Sequence, residues 1–537
     1  MNLQERAYAR RWWILLVLCL SLVVITLDNT ILNVALPTLV RDLKASNSQL
    51  QWIVDSYTLV FAGLLLTAGA LGDRFGRKGA LQIGLAIFAL GSLASALATD
   101  PNQLIATRAL MGVGGAFIMP ATLSILTNVF PAEERGRAIG VWAGISGIGI
   151  AIGPLLGGFL IEHFSWHAIF TVNLPIALLA IVAGALIIPT SKDPAAPKLD
   201  PVGAGLSIVG LVSLVYGLIE APADGWTDPK ILTAFAVGVV VLATFAWWEL
   251  RIDHPMLDVS FFRNPRFSAA SSAITLVFFA MFGYSFLLTQ YFQFVLGYSA
   301  LETGVRMLPL ALTLMVVAPT SARLVERVGT KAVVAAGLGC VSLSLFLQVG
   351  LAVDSPYIQI AWRMMLLAFG MGLTMAPATE SIMGSLPLAK AGVGSAVNDT
   401  TRQVGGALGV AIVGSVLSSV YGSKIVDAFG SVLPAPAVEV AKSSLGGALA
   451  VAERAPGALG DQVASVARSG FVDAMHGGAL VAGTAAFIGM VVVLIFLPAT
   501  ARREDLERQH HEYDEEMDVA AAQGARLAPV EVSEWDT

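Results

Sequence analysis

Charge is scarce in this chain. Of its 537 residues 13% are Asp, Glu, Lys or Arg, against about 25% in ordinary soluble domains, so about half the usual solvated surface is missing. Cysteine is nearly absent. Cys19 and Cys340 both fall in apolar runs, which leaves neither a disulfide framework nor a cysteine metal site. The formal net charge of −6, with no basic face interleaved with aromatics, excludes nucleic acid as a partner. No GxxxxGK[ST] loop occurs, which excludes ATP as the energy source. The first apolar segment runs on to Leu36 without a small-residue cleavage pattern and reads as a retained span.

What is plentiful is apolar sequence, at 56% hydrophobic residues and a mean hydropathy of +0.75. A bilayer span needs about 20 apolar residues, and such windows recur from Trp12 to Leu497. This is the pattern of an all-α polytopic membrane protein, and it excludes soluble-enzyme and fibrous readings. Breaks between the windows predict fourteen spans: 12–36, 51–71, 80–98, 103–127, 137–161, 168–189, 202–220, 230–250, 268–296, 304–322, 332–352, 357–383, 392–420 and 476–498.

Lys and Arg in short loops are retained on the cytoplasmic side. Arg6, Arg10 and Arg11 precede span 1, Arg74, Arg77 and Lys78 follow span 2, and Arg502 and Arg503 follow the last span. The loops between carry the same alternation, through Arg135 and Arg137, Lys192 and Lys198, Arg263 and Arg266, and Arg323, Arg327 and Lys331. The opposite short loops hold few bases beside Asp42, Asp224, Asp228 and Asp354. Both termini are expected in the cytoplasm, which requires an even number of spans. The segment 421–474 then lies outside, and its helical spacing over Val438–Leu449 and Gln462–Phe471 predicts a short helical hairpin. The tail beyond Arg502 is charged, and His510 and His511 in it read as solvated rather than as metal ligands.

The chain also repeats itself. GALGDRFGRK after span 2 and ARLVERVGTK after span 10 align acid, base, apolar residue and glycine as Asp73-Arg74-Phe75-Gly76 and Glu326-Arg327-Val328-Gly329. Arg108 with Gly112 and Gly114 in span 4 is echoed by Arg363 with Gly370 and Gly372 in span 12. The expected organisation is a six-helix bundle (1–190), two inserted central helices with their linkers (191–267), a second six-helix bundle (268–500, including the 421–474 loop) and a cytoplasmic tail (501–537). Duplicated halves with a site between them are the architecture of secondary transporters.

The GALGDRFGRK loop resembles the signature of the major facilitator superfamily. GIAIGPLLGG (Gly149–Gly158) in span 5 is similar to the antiporter motif of its drug exporters, and LDNTILNVALP (Leu27–Pro37) to the first-span motif of its fourteen-span drug:proton antiporters. The likeness covers essentially residues 10–500. Segment WIVDSYTLV (Trp52–Val60) and the long loop before the last span resemble quaternary-ammonium exporters. Two features depart from that pattern. His167 stands where the family usually has arginine, and NDTTRQ (Asn398–Gln403) lacks the doubled acid that would suit a dication. The resemblance implies a major facilitator fold, residence in a bacterial-type inner membrane, and export of amphipathic, cationic small molecules by a single chain, driven by the proton gradient and needing no cofactor. Export of one endogenous antibiotic, metabolite or lipid is the alternative. A receptor or enzyme would need a catalytic cluster or attached domain, and none is recognisable.

Within this frame a few residues carry chemistry. Asp28 lies near the middle of span 1, where an ionised carboxylate costs roughly 2.5–3.5 kcal/mol to insert. Such a group can exchange a proton for a cation, or serve as a structural carboxylate. Arg108 in span 4 keeps its charge when buried and is the natural counter-charge; the resemblance implies a part in proton transfer. Asp399 completes the expected proton-coupling set, although Arg402 at i,i+3 could pair with it locally. Asp28, Asp55 and Asp399 are the expected substrate contacts. Gly149, Gly153 and Gly157 form a four-residue ridge for close helix contact, and Pro154 favours a kink. Asp73, Arg74 and Arg77, with Gly69 and Gly76 allowing a tight turn, are the expected latch of one transport state.

Overall fold

A computed structural model describes residues 10–499, apart from 131, 192–199, 253, 254, 256, 258, 386–390 and 456. Among the described residues the regular structure is entirely helical. The long helices are α1 (Arg11–Leu43), α2 (Asn47–Phe75), α3 (Arg77–Ala96), α4 (Pro101–Val129), α5 (Ala132–His163), α6 (Ala168–Ile187), α7 (Pro201–Asp224), α8 (Pro229–Glu249), α9 (Pro265–Val295), α10 (Ala300–Val328), α11 (Thr330–Gln348), α12 (Tyr357–Gly384) and α13 (Ala391–Phe429). Two short helices follow, α14 (Ala435–Ser443) and α15 (Leu445–Arg454), before the last long one, α16 (Ala458–Phe496). Twelve are long and apolar enough to cross a membrane; α2 and α5, at 29 and 32 residues, are as long and pack in the same bundle.

The helix starts are written locally. Asp100-Pro101, Asp200-Pro201, Asp228-Pro229 and Asn264-Pro265 each place a side-chain acceptor at the cap and proline at the first helical position. The acceptor satisfies orphan amides, and proline gives up a donor that had no partner. Ser46 with Gln49 and Ser299 with Glu302 form reciprocal capping boxes on α2 and α10.

The repeat is visible in these same helices. Both α2 and α10 have 29 residues, begin at a serine capping box and end at a positive-φ glycine, Gly76 (φ 130°) and Gly329 (φ 86°). A second correspondence is found in packing. Gly149 and Gly153 of α5 lie against Thr26 and Thr30 of α1, and Gly405 and Gly409 of α13 lie against Thr275 and Phe279 of α9, so that a β-carbon at any of the four would overlap its neighbour. The Gly76 turn gives a direct test. A β-carbon there makes only ordinary contact, with the Ser191 carbonyl at 4.0 Å, but sits on an unfavourable backbone, whereas one at Gly329 also overlaps the Ala499 carbonyl. Gly76→Ala is expected to cost about 1–3 kcal/mol and Gly329→Ala more. Thermal unfolding of the two purified variants checks this, and equal losses would contradict it.

The 421–474 segment corrects one expectation. Its helical hairpin is α14 and α15, broken at Ser444, whose extended backbone and side-chain bond to the Gly447 amide start a new helix. Gln462–Phe471 is not a hairpin arm but the opening of α16, which begins well before the expected 476 because nothing after Gly457 interrupts it. Tyr421 donates to the carbonyls of Ala441 and Ser444, and Gly446 rests on Val40 of α1 and Phe294 of α9. The hairpin therefore touches both halves.

Helix direction alternates, so the Gly76 turn marks one side of the bundle and Lys44, Ser299 and the hairpin the other, here called the far side. Hydrogen bonds join the halves on the far side. Glu162 at the end of α5 accepts from the Ser299 hydroxyl (2.9 Å) and the Leu301 amide (3.3 Å), and Gln293 donates to the Val34 carbonyl (2.8 Å). Close by, Gly158 abuts Ala300, and Gly304 abuts the Pro154 carbonyl. Helices α7 and α8 pair with each other, and α7 lies against α2 and α13 through Val215 and Ile219 beside Leu59, Ala407 and Ala411.

Candidate functional site

Five helices of the first half bring polar groups to one buried point. Asp28 of α1 and Arg108 of α4 are 2% and 1% exposed and form an ion pair through Oδ2 and Nη1. Arg108 Nε also donates to the Ile53 carbonyl of α2 (3.2 Å), and its guanidinium lies over the Tyr57 ring, 4.4 Å from the centroid. Asn173 of α6 donates to Asp28 Oδ1 (3.1 Å) and lies 3.1 Å from Ser92 Oγ of α3. The Ser92 hydroxyl donates in turn to the Phe170 carbonyl (2.8 Å). Burying two charges costs several kcal/mol each, and their attraction offsets this only when remaining polar atoms are also satisfied. Asn173 and the Ile53 carbonyl supply those further bonds. The result is a fixed carboxylate with a permanent cation on one side and a neutral amide on the other.

Asp55 lies elsewhere. It is fully buried on α2, and neither carboxylate oxygen has a hydrogen-bonding partner among the described residues; the side-chain amide of Gln51, one turn earlier, is likewise unpartnered. Gln51 packs into the notch left by Gly414 of α13. This stripe therefore lies in the far-side seam between the halves. Buried polar atoms without partners are uncommon enough to call for a reason.

Asp399 of α13 is separate again. Arg402 approaches it at 3.8 Å, as the i,i+3 spacing allows, and donates to Thr379 Oγ1 of α12 (3.1 Å). The Arg402 guanidinium also lies 5.5 Å from the Phe278 ring centroid, and Phe278 stacks on Phe282. Of the aromatics crowding α9, Phe279, Tyr284, Phe286, Tyr291 and Phe292 are buried in the protein core. The structure thus joins Asp28 to Arg108 and leaves Asp55 and Asp399 apart from them. His167 is half-buried and stacks on Trp166 at 3.8 Å.

The expected gating residues divide between two surfaces. Gly149, Gly153 and Gly157 all face α1, inside the first half, while Pro154 and Gly158 face α10 across the seam. At the Gly76 turn, the Arg77 amide bonds to the Ser191 carbonyl, Lys78 reaches the Ala185 carbonyl (2.7 Å), and Arg74 is exposed. Gly69 makes ordinary contact with Pro120. The Asp73 side chain lies outside the described residues.

Sequence reasoning did not single out Asn173, Ser92 or Gly158. An uncharged polar residue in a helix is common and gives little signal. Gly158 was readable only as the fourth glycine of a motif whose period is carried by the other three.

Residues 18–410 match the Major Facilitator Superfamily. The chain belongs to that superfamily. It is 34% identical over 510 residues to the tetracenomycin C resistance and export protein of Streptomyces glaucescens, covering 94% of each chain. It is also 35% identical over 489 residues to the multidrug efflux pump LfrA of Mycolicibacterium smegmatis, covering 91% of this chain and 96% of that one. Among solved structures, a bacterial homologue of the human lysosomal transporter Spinster, captured inward-facing and unoccupied, superposes with a TM-score of 0.63 at 18% identity over 91% of this chain and 98% of the other. The fold is that of a major facilitator transporter, and the relatives are drug-resistance and export proteins. This chain is accordingly a multi-pass membrane transporter of small molecules, not an enzyme.

Proposed function

We propose that the protein is a proton-coupled antiporter that exports amphipathic, cationic compounds by alternating access across a bacterial inner membrane, with fourteen spans and both termini in the cytoplasm. The observation that carries this reading is the buried Asp28–Arg108 pair with Asn173. A guanidinium keeps its charge in proteins, so Asp28 is the group of this pair that takes up and releases a proton. In the account, a proton on Asp28 weakens its hold on Arg108, and the freed guanidinium changes partners as the halves rock. Asp55 and Asp399, one in the seam and one beside Phe278, supply negative charge to a cationic substrate. The far-side seam, held by Glu162 and Gln293, would make the observed arrangement the state closed to the outside. Gly149, Gly153 and Gly157 then keep α1 and α5 moving as one body, and the Gly76 turn with Arg74 and Arg77 latches the cytoplasmic side in the opposite state.

Proteoliposomes loaded with ethidium test this reading. An inward-directed proton gradient is expected to drive ethidium outward in wild type, even against a higher ethidium concentration outside. Adding a membrane potential at fixed pH shows whether more than one proton is used per monovalent cation, since each extra charge contributes about 2.3 kcal/mol per 100 mV. Ethidium movement indifferent to both gradients would sink the proposal. A second reading, a dedicated exporter of one endogenous compound, is favoured by the tetracenomycin relative. It predicts gradient-driven flux of one class of compound and none of ethidium.

A further inference from the structure

The inserted helix α7 has a chemistry of its own at the far side. Glu220, near its end, accepts hydrogen bonds at the same oxygen from Trp52 Nε1 (2.8 Å) and the Ser48 hydroxyl (2.9 Å) of α2. One turn back along α7, Tyr216 packs against Trp52 with ring centroids 6.2 Å apart and planes tilted by 46°. These residues line an open cleft of about 590 Å³ between α2, α4 and α7, whose other walls are Ser46, Gln49, Asn102 and Ile105. No lysine or arginine lines the cleft, and no ion pair to Glu220 is formed among the described residues. Both hydrogen bonds use one carboxylate oxygen, which fixes the group while leaving the other oxygen available.

Aromatic residues at the membrane–water interface commonly face lipid headgroups with their polar edges. Trp52 differs because its indole N–H is committed inward to Glu220. What remains toward the cleft is two aromatic rings around a carboxylate that no cation among the described residues balances. An ammonium carrying apolar substituents satisfies both, through charge and through the ring faces. We infer that the cleft between α2, α4 and α7 is a binding site for an organic ammonium group, held by Glu220 between Trp52 and Tyr216. The site lies outside the Asp28–Arg108 centre and requires no particular transport mechanism. Its occupant is the amine headgroup of a membrane lipid or a soluble amphipathic cation, which share this chemistry.

The test is photolabelling of the full chain in vesicles of phosphatidylglycerol with an aryl-azide quaternary ammonium, followed by peptide mapping. Labelling is expected on the α2 segment 46–52 and the α7 segment 216–220. Glu220→Gln keeps an acceptor for Trp52 and Ser48, so the α2–α7 contact survives, and labelling is expected to fall about tenfold for loss of the charge. Tyr216→Ala is expected to act in the same direction. Unfolding temperatures of the two variants check that the fold is intact. Protection by added phosphatidylethanolamine identifies a lipid amine as the occupant, and labelling undiminished by that lipid identifies a soluble cation. Labelling elsewhere only, or equal labelling in wild type and both variants, overturns the inference, since a merely structural tie between α2 and α7 predicts that equality.

Discussion

Asp28→Leu alone is expected to destabilise the protein by about 3–5 kcal/mol, because it strands a buried guanidinium. Adding Arg108→Met in the same chain is expected to recover most of that loss. The reason lies in the surroundings of the pair. Arg108 is 1% exposed, and without Asp28 its contacts among the described residues reduce to the Ile53 carbonyl, the Met111 sulfur and the Tyr57 ring. Removing both charges ends their desolvation cost while Asn173 keeps its hydrogen bond to Ser92, and such replacements are often neutral or stabilising. Transport should follow the opposite rule and be absent in both variants, because neither holds a titratable group at this place. Unfolding temperature and ethidium flux, measured on the same preparations, separate the two effects. A double variant as unstable as the single one would show that the pair is not the source of the loss. A double variant that still transports would place the coupling elsewhere.

The second large effect belongs to the seam. In Gly158→Val the β-carbon would lie 2.5 Å from the Ala300 carbonyl oxygen and 2.6 Å from Leu301 Cα, which is backbone that cannot rotate away. Overpacking inside a core costs about 1–3 kcal/mol, but in the proposed alternating-access cycle this contact is between two bodies that part. The expected outcome is an intact fold, a far-side seam held open, and transport lowered more than tenfold, since a difference of about 1.4 kcal/mol between two states is already tenfold. A cysteine at Ser299, in a chain where Cys19 and Cys340 are replaced by serine, reports the opening. Its reaction with a membrane-impermeant maleimide should be faster in the Gly158→Val background. Gly153→Val is the contrast, because Thr30 of the same half is its obstacle, and it should lower stability without exposing Ser299. Unchanged maleimide rates in Gly158→Val would contradict the assignment of the α5–α10 contact as the far-side closure.

Much of this architecture was legible in the sequence, and for identifiable reasons. A charged group in a long apolar run is expensive enough that Asp28, Arg108, Asp55 and Asp399 stand out individually. Asp-Pro and Asn-Pro pairs and two serine capping boxes mark helix starts through local hydrogen bonding, which needs no tertiary information. The ends were harder. The expected span at 476 begins at Ala458, because Asp461, Arg468 and Asp473 lower the hydropathy there although the backbone remains helical and Val463, Ala467 and Phe471 stay buried. The pairing of Asp28 with Arg108 was suggested by charge alone, but Asn173 and Ser92, which complete it, are ordinary polar residues until the helices are assembled. The Gly405–Gly409 ridge is the duplicate of Gly149–Gly153, yet it lies in a segment without the antiporter motif and was not recognised. The cleft at Glu220 could not be read at all, since Trp52, Tyr216 and Glu220 come together only through the packing of α7 on α2.

The measurement that bears most directly on the account is simultaneous recording of substrate and protons in one preparation. Proteoliposomes would carry a trapped pH indicator, and ethidium would be followed by its own fluorescence, for wild type, Asp28→Asn and Asp399→Asn. Wild type should show proton flux that begins on addition of ethidium and runs opposite to it. Asp28→Asn should lose both fluxes together while retaining a folded protein. Counterflow of protons and ethidium surviving in Asp28→Asn would contradict the central claim and move the coupling site to Asp399 or Asp55.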